Sequence, residues 1–263
     1  MCMGCGANPH LPAGVRQVGT LANPAITESS GVAASRQYTN VFWTHNDGGK
    51  SEMLFAVTRE GKSLSEFKVL GAKIDDWEDI AIDNERHLYI ADTGDNNSKR
   101  KHVAVYRVDE PDPASSGVVQ TTRKWKLHWP NGPVDSEALF VYSTNGYLVT
   151  KVKNDRRAEV YRFHLNDAES QMLEFFARLT IASPVTAADI SANGAAVAIV
   201  AGTGAFVYRI DGDIGKLAQA RPYFTRFKHD SMEACTFVPE GLLTTAESKQ
   251  IYLFTDEAFR VLR

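Results

Sequence analysis

Cysteine is scarce in this 263-residue chain: Cys2, Cys5 and Cys235 are the full set. Three such unevenly placed thiols do not make a disulfide framework, and no second Cys pair or His/Cys set completes a zinc site with Cys2 and Cys5. No apolar run approaches the roughly 20 residues that a membrane-spanning helix needs. Strong charge is missing too. The formal net charge is −3, and the basic clusters Lys99-Arg100-Lys101 and Arg156-Arg157 are short, which argues against nucleic acid as a partner. Helix-period segments are nearly absent, and there is no nucleophile elbow, phosphate-binding glycine loop or zinc-protease motif. The glycine of Asp92-Thr93-Gly94-Asp95 falls in a turn and not at a helix start, so a dinucleotide site is excluded.

What remains is ordinary for a globular protein, 43% hydrophobic and 23% charged, and it is repetitive. A strand with a central aromatic recurs at residues 53–57, 103–108, 158–163, 205–210 and 250–254. Apolar stretches precede each copy at 41–44, 88–91, 147–150, 196–200 and 242–245. Before those lie further strands at 30–35, 78–83, 137–142, 188–191 and 233–238. Polar or glycine-bearing turns such as Asn46-Asp47-Gly48-Gly49 and Asn193-Gly194 separate them. More polar strands close most units, and the period of roughly 45 to 55 residues is that of a propeller blade.

The expected fold is therefore all-β: a five-bladed β-propeller of four-stranded antiparallel blades, or six-bladed if residues 109–132 hide a degenerate repeat. The isolated strand at 15–21 is expected to supply the outer edge of the last blade and close the ring, leaving residues 1–14 as a tail and 15–263 as one domain.

Inner strands of a propeller start at a shared channel mouth. Glu28, Glu78, Glu137 and Glu233 recur there, while Thr186-Ala187-Ala188-Asp189 puts an alanine in the corresponding place. Acids brought together repel one another unless some stay protonated or a cation joins them, and oxygen donors suit calcium. These glutamates are the candidate metal ligands. The ends of the second strands add Asp95, Lys151 and Glu247 as candidate catalytic groups, and Asp47 and Asn96 as ligand-binding groups. Trp77 is a candidate ligand platform beside Glu78, with Trp43 as a second aromatic surface. Tyr106, Tyr161 and Tyr208 read as core, and His45 and His229 as hydrogen-bonded loop residues.

The set Glu28-Ser29-Ser30-Gly31, Trp43-Thr44-His45-Asn46-Asp47-Gly48-Gly49, Asp76-Trp77-Glu78-Asp79-Ile80-Ala81, Asp92-Thr93-Gly94-Asp95-Asn96, Asp135-Ser136-Glu137-Ala138-Leu139 and Thr186-Ala187-Ala188-Asp189 resembles exported bacterial propellers labelled as phytase-like esterases or senescence-marker/gluconolactonase-like proteins. Ser231 and Met232 stand where that pattern has Gln-Gly. The resemblance implies a propeller, export, calcium and a metal-assisted hydrolase of phosphoesters, esters or lactones. A non-catalytic propeller binding a small molecule, peptide or envelope partner on the same face is the alternative. The start Cys2-Met3-Gly4-Cys5-Gly6 resembles the end of a lipoprotein signal, with Cys5 as lipid acceptor and the only route to a membrane, or else is a plain tail. The implied protein is an extracytoplasmic monomer with a small-molecule ligand at the channel mouth.

Overall fold

A computed structural model describes residues 11–48, 51–153 and 156–262, so Cys2 and Cys5 lie outside the described residues. The chain runs through β1 (Val15–Thr20), β2 (Ser29–Ala34), β3 (Phe42–Asn46), β4 (Met53–Val57) and β5 (Ser63–Leu70). It continues with β6 (Trp77–Ile82), β7 (His87–Asp92), β8 (Val103–Asp109), β9 (Gly117–His128), β10 (Ser136–Tyr142), β11 (Asn145–Thr150) and β12 (Glu159–His164). There follow β13 (Ser170–Met172), β14 (Glu174–Arg178), β15 (Val185–Ile190), β16 (Ala196–Ala201), β17 (Gly204–Arg209) and β18 (Tyr223–Arg226). Last come β19 (Met232–Val238), β20 (Gly241–Ala246), β21 (Gln250–Phe254) and β22 (Arg260–Val261).

These strands form a β-propeller. Antiparallel meanders β2-β3-β4-β5, β6-β7-β8-β9, β10-β11-β12-β14, β15-β16-β17-β18 and β19-β20-β21 stand side by side, and their inner strands β2, β6, β10, β15 and β19 touch in a closed cycle. β1 adds to β21 as the outer edge of the last meander. β22 does not belong to that meander: it pairs with β18 outside the preceding one. Residues 109–132 hold one long strand, β9, whose first residues run parallel to β5 and join two meanders into one sheet, to which β13, paired with β9, adds a ninth strand. The second strands are almost wholly buried because they have a sheet on both faces, which is why they read as continuous apolar runs. Tyr106 and Tyr208 are buried between sheets, as is Tyr161.

The inner strands are bound together by side chains as well as by packing. Asp79 is fully buried, yet its carboxylate accepts N–H bonds from Ile80 (2.9 Å), from Leu139 on β10 (2.9 Å) and from Ala188 on β15 (3.2 Å). Asp189 on β15 accepts from Phe237 N on β19 at 2.8 Å and from Thr236 Oγ1 at 3.1 Å, and Thr236 Oγ1 in turn accepts from Ala34 N on β2. Backbone groups that no ladder can reach are thereby satisfied from across the axis. Removing the Asp79 acceptor would strand three buried N–H groups, each costing about 1–3 kcal/mol. Asp79→Ala is therefore expected to lose about 3 kcal/mol or more in urea denaturation. The exposed substitution Asp167→Ala, by contrast, should shift stability by less than about 1 kcal/mol.

Candidate functional site

Each inner strand carries a one-residue register shift at its head, and the unpaired residues are Ser30, Glu78, Glu137, Thr186 and Glu233. A bulge inserts a residue that the ladder does not use and turns its side chain out of the strand's alternation. All of these side chains line one cavity of about 360 Å³ at the mouth of the channel. A second layer comes from a residue one or two positions past each second strand, which donates its N–H to the carbonyl just ahead of the inner strand. Asp47 N reaches Glu28 O, Gly94 N Asp76 O, Lys151 N Asp135 O, Gly202 N Pro184 O and Glu247 N Ser231 O, at 2.8–3.2 Å.

This register corrects the strand-start alignment. Glu28 lies ahead of β2 and is exposed at the cavity rim; the residue equivalent to Glu78 is Ser30, and Glu28 corresponds to Asp76 and Asp135. Thr186, and not an alanine, takes the glutamate's place on β15. Gly94, and not Asp95, matches Asp47, Lys151 and Glu247. A side chain is impossible there without movement, because a Cβ on Gly94 would stand 2.0 Å from Glu78 Oε1 and 2.4 Å from Asp76 Oδ2.

The expected residues divide accordingly. Glu28, Asp47, Glu78, Asn96, Glu137, Lys151, Glu233 and Glu247 share the cavity wall. Asp95 does not: its carboxylate is buried and accepts the N–H groups of Lys99 and Arg100 at 2.8 Å, as a turn cap. Trp77 is fully buried, donates its Nε1–H to Lys73 O and meets His45 edge-on, so it offers no platform to a ligand. Trp43 is equally buried and bonded to Glu110. His45 also lies in the core, where burial lowers its pKa and keeps it neutral. Asp76 and Asp135 are additions, and the repeated Asp-x-Glu of Asp76-Trp77-Glu78 and Asp135-Ser136-Glu137 was their visible signal.

Charge in this cavity is lopsided, with six carboxylates and one ammonium along its wall. Oxygens of Glu78, Asp76 and Asp47 come within 4.8 Å of one another, and so do those of Glu78, Asp135 and Glu137, leaving Glu78 common to both trios. Burial, reinforced by Glu137, Asp47, Asp76 and Asp135, pushes the Glu78 carboxyl up to about 10. Burial also raises Glu137 to about 7, despite its ion pair with Lys151. Glu233 reaches about 7 through burial and the neighbouring Glu247, and Asp76 about 6, chiefly through burial and Asp47. Burial works against the Lys151 charge, but Glu137 and the other acids outweigh it and its pKa is raised. Lys153 Nζ approaches Asp135 Oδ2 at 2.8 Å and donates to Asn96 O, whereas Arg100 serves Asp92 and Gly94 O and does not neutralise the glutamates. Beyond Lys151 opens a second cleft of about 670 Å³ with Lys153, Arg156, Arg157 and Arg178 on its wall.

Comparison with known proteins supports the fold and stops there. No family model matches the chain, and no curated protein sequence does. Among solved structures, the Malassezia sympodialis allergen Mala s 1 is similar at TM-score 0.57 and 8% identity, over 94% of this chain and 98% of the allergen. A chain of a nidogen/laminin complex gives TM-score 0.53 at 14% identity, over 85% of this chain and 73% of its own. A proposed gluconolactonase aligns more loosely, with TM-score 0.47 at 16% identity over 96% and 95%, too distant for its chemistry to transfer. The class that fold and cavity define is a β-propeller with an acidic axial pocket.

A proton that the unfolded chain would release near pH 4.5 is held by folded Glu78 up to about 10. Between those values the folded state binds more protons, so stability falls as pH rises. Glu137 and Glu233 add to the fall between 4.5 and about 7. In chelator, the melting temperature should therefore drop steadily from pH 5.5 to 8.5. Glu78→Gln should raise the value at pH 8.5 and flatten the slope, and a steeper slope in that variant would contradict the assignment.

Proposed function

We propose that this protein is a five-bladed propeller whose axial cavity holds a divalent cation, calcium by preference, and that it hydrolyses an ester, phosphoester or lactone there. Five blades are supported by the bulges at Ser30, Glu78, Glu137, Thr186 and Glu233, which repeat one register through the inner strands. The observation that carries the cation is the position of Glu78 in both acid trios, which only Lys151 on Glu137 and Lys153 on Asp135 offset by ion pairs among the described residues. The donors are all oxygens, as calcium requires, and a cation among them would favour the charged form of Glu78 against the burial and the neighbouring acids that raise its pKa. Asp47, Asp76, Glu78, Asp135 and Glu137 would hold the ion. Bound calcium supplies Lewis-acid polarisation of a substrate oxygen.

The chain's own groups do the rest. Glu233 stands outside both trios, and a pKa of about 7 lets it take a proton from an attacking water at neutral pH. In this role it replaces Asp95, whose carboxylate is committed to its turn. Glu247 beside it sustains its basicity through charge repulsion. Lys151 Nζ faces the same space and can stabilise negative charge developing on the substrate. The adjoining basic cleft suits substrates with a second anionic group. An extracytoplasmic location, with or without a lipid on Cys5, belongs to the same proposal, since exported calcium modules work at roughly 10⁻⁴–10⁻³ M calcium. One observation favours a second, non-catalytic reading: Lys151 already pairs with Glu137, so the cavity is partly self-neutralised and could serve recognition alone.

Calcium added to chelated protein at pH 7.5 should raise the melting temperature, and Glu78→Gln or Glu137→Gln should abolish the shift. No shift in the wild type removes the cation. Calcium-loaded protein should then turn over at least one aryl phosphate, aryl ester or lactone, with Glu233→Gln slowing turnover about 10²–10⁴-fold while the calcium shift persists. Calcium binding with no turnover across the panel would leave the recognition reading.

A further inference from the structure

The opposite end of the channel carries an independent feature. Beyond the ends of β2, β15 and β19 lies a cleft of about 840 Å³, within the roughly 300–1,000 Å³ of small-molecule sites. Its wall is chemically unlike the acidic cavity. Tyr38, Phe42, Phe237 and Pro239 give it an apolar surface, and two guanidinium groups reach it. One of them is committed: Arg59 grips Glu240 with both terminal nitrogens, at 2.8 and 2.9 Å. The other, Arg36, is not. Its Nε is buried without a hydrogen-bond partner, and it forms no ion pair or side-chain hydrogen bond among the described residues.

Behind the cleft, Asp189 is buried, which raises its pKa while the Arg36 charge pulls it down; the acids on the wall itself are Glu240, held by Arg59, and Glu60. The Asp189 carboxylate makes no hydrogen bond or ion pair with Arg36 and is directed elsewhere. Ile190 N, Phe237 N and Thr236 Oγ1 already occupy it. Arg36 is thus a half-buried planar fork of donors, its Nε buried without a partner and its terminal nitrogens without a protein partner, beside aromatic surface, and a carboxylate matches that fork with two parallel bonds. The rim is braced by Arg86 on Gln37 (2.7 Å) and by Asn84 on Ala192 O (2.9 Å).

We propose that this cleft is a second ligand site for a small organic acid, its carboxylate on Arg36 and its aromatic or branched apolar body against Tyr38, Phe42 and Phe237. Nothing in it depends on the acidic cavity. The test is calorimetry on the full chain in chelator, with 3-phenylpropionate, its neutral amide and acetate as probes. The expected result is saturable binding of 3-phenylpropionate, with the amide and acetate each weaker by about tenfold or more, the worth of one lost bidentate contact or of the apolar body. Arg36→Gln should cause the same loss. Ala192→Trp, an exposed rim position that fills the cleft without touching the charge, should block binding at unchanged melting temperature, and it keeps the test valid if Arg36→Gln fails to fold. Equal binding of acid and amide, undiminished binding in Ala192→Trp, or no binding of 3-phenylpropionate would each overturn the proposal.

Discussion

In an unbroken ladder, side chains alternate between the two faces of a sheet, and in a propeller both faces of an inner strand are turned toward neighbouring sheets. A side chain that looks along the axis needs an interruption. The single extra residue at the head of β2, β6, β10, β15 and β19 provides it, and the acidic cavity follows from that irregularity. Below the bulges the ladders resume and the channel is closed by hydrogen bonds, with Asp79 tying three inner strands and Asp189 tying two. Charge gathered above that closure cannot be relieved by rearranging the strands. Glu78 relieves it by holding a proton.

The two carboxylate populations are separated by what they accept. Asp79, Asp189, Asp95 and Asp92 are filled by backbone N–H groups or by a guanidinium, and they are architecture. Burial raises the pKa of Asp79 and Asp189 as well, but Glu78, Asp76 and Glu233 have no such directed partners and are raised further by neighbouring acids. Residue type does not distinguish them. Asp79 and Glu78 are neighbours in the chain and face opposite demands, one satisfied by amides and the other open to the cavity.

Much of the fold was legible because its signals are local. Alternation, turn residues and the recurring aromatic strand located nearly every element, and Glu78, Glu137 and Glu233 were found because the same acid recurs ahead of the same apolar run. Glu28 shows where that reasoning fails. Motif spacing matched it to Glu78, but the bulge sets the count, and a bulge has no residue signature of its own, so the equivalent position went to Ser30. Trp77 misled for a related reason, since an aromatic beside an acid reads alike whether it faces a ligand or the core. The parallel pairing of β9 with β5 and the partner of β22 could not be read at all, since pairing with a distant edge depends on three-dimensional proximity.

The pairing of β1 with β21 and of β22 with β18 also has a temporal consequence. A chain leaving the ribosome makes β1 first, yet the edge that receives it appears more than 200 residues later, from Gln250 onward. Until then an early strand waits unpaired beside a growing row of sheets whose last member is always open. Closure has to wait for β21 and spans the longest loop, so premature termination near Thr245 would release an incomplete ring with two unmatched edges, a species prone to joining its own kind.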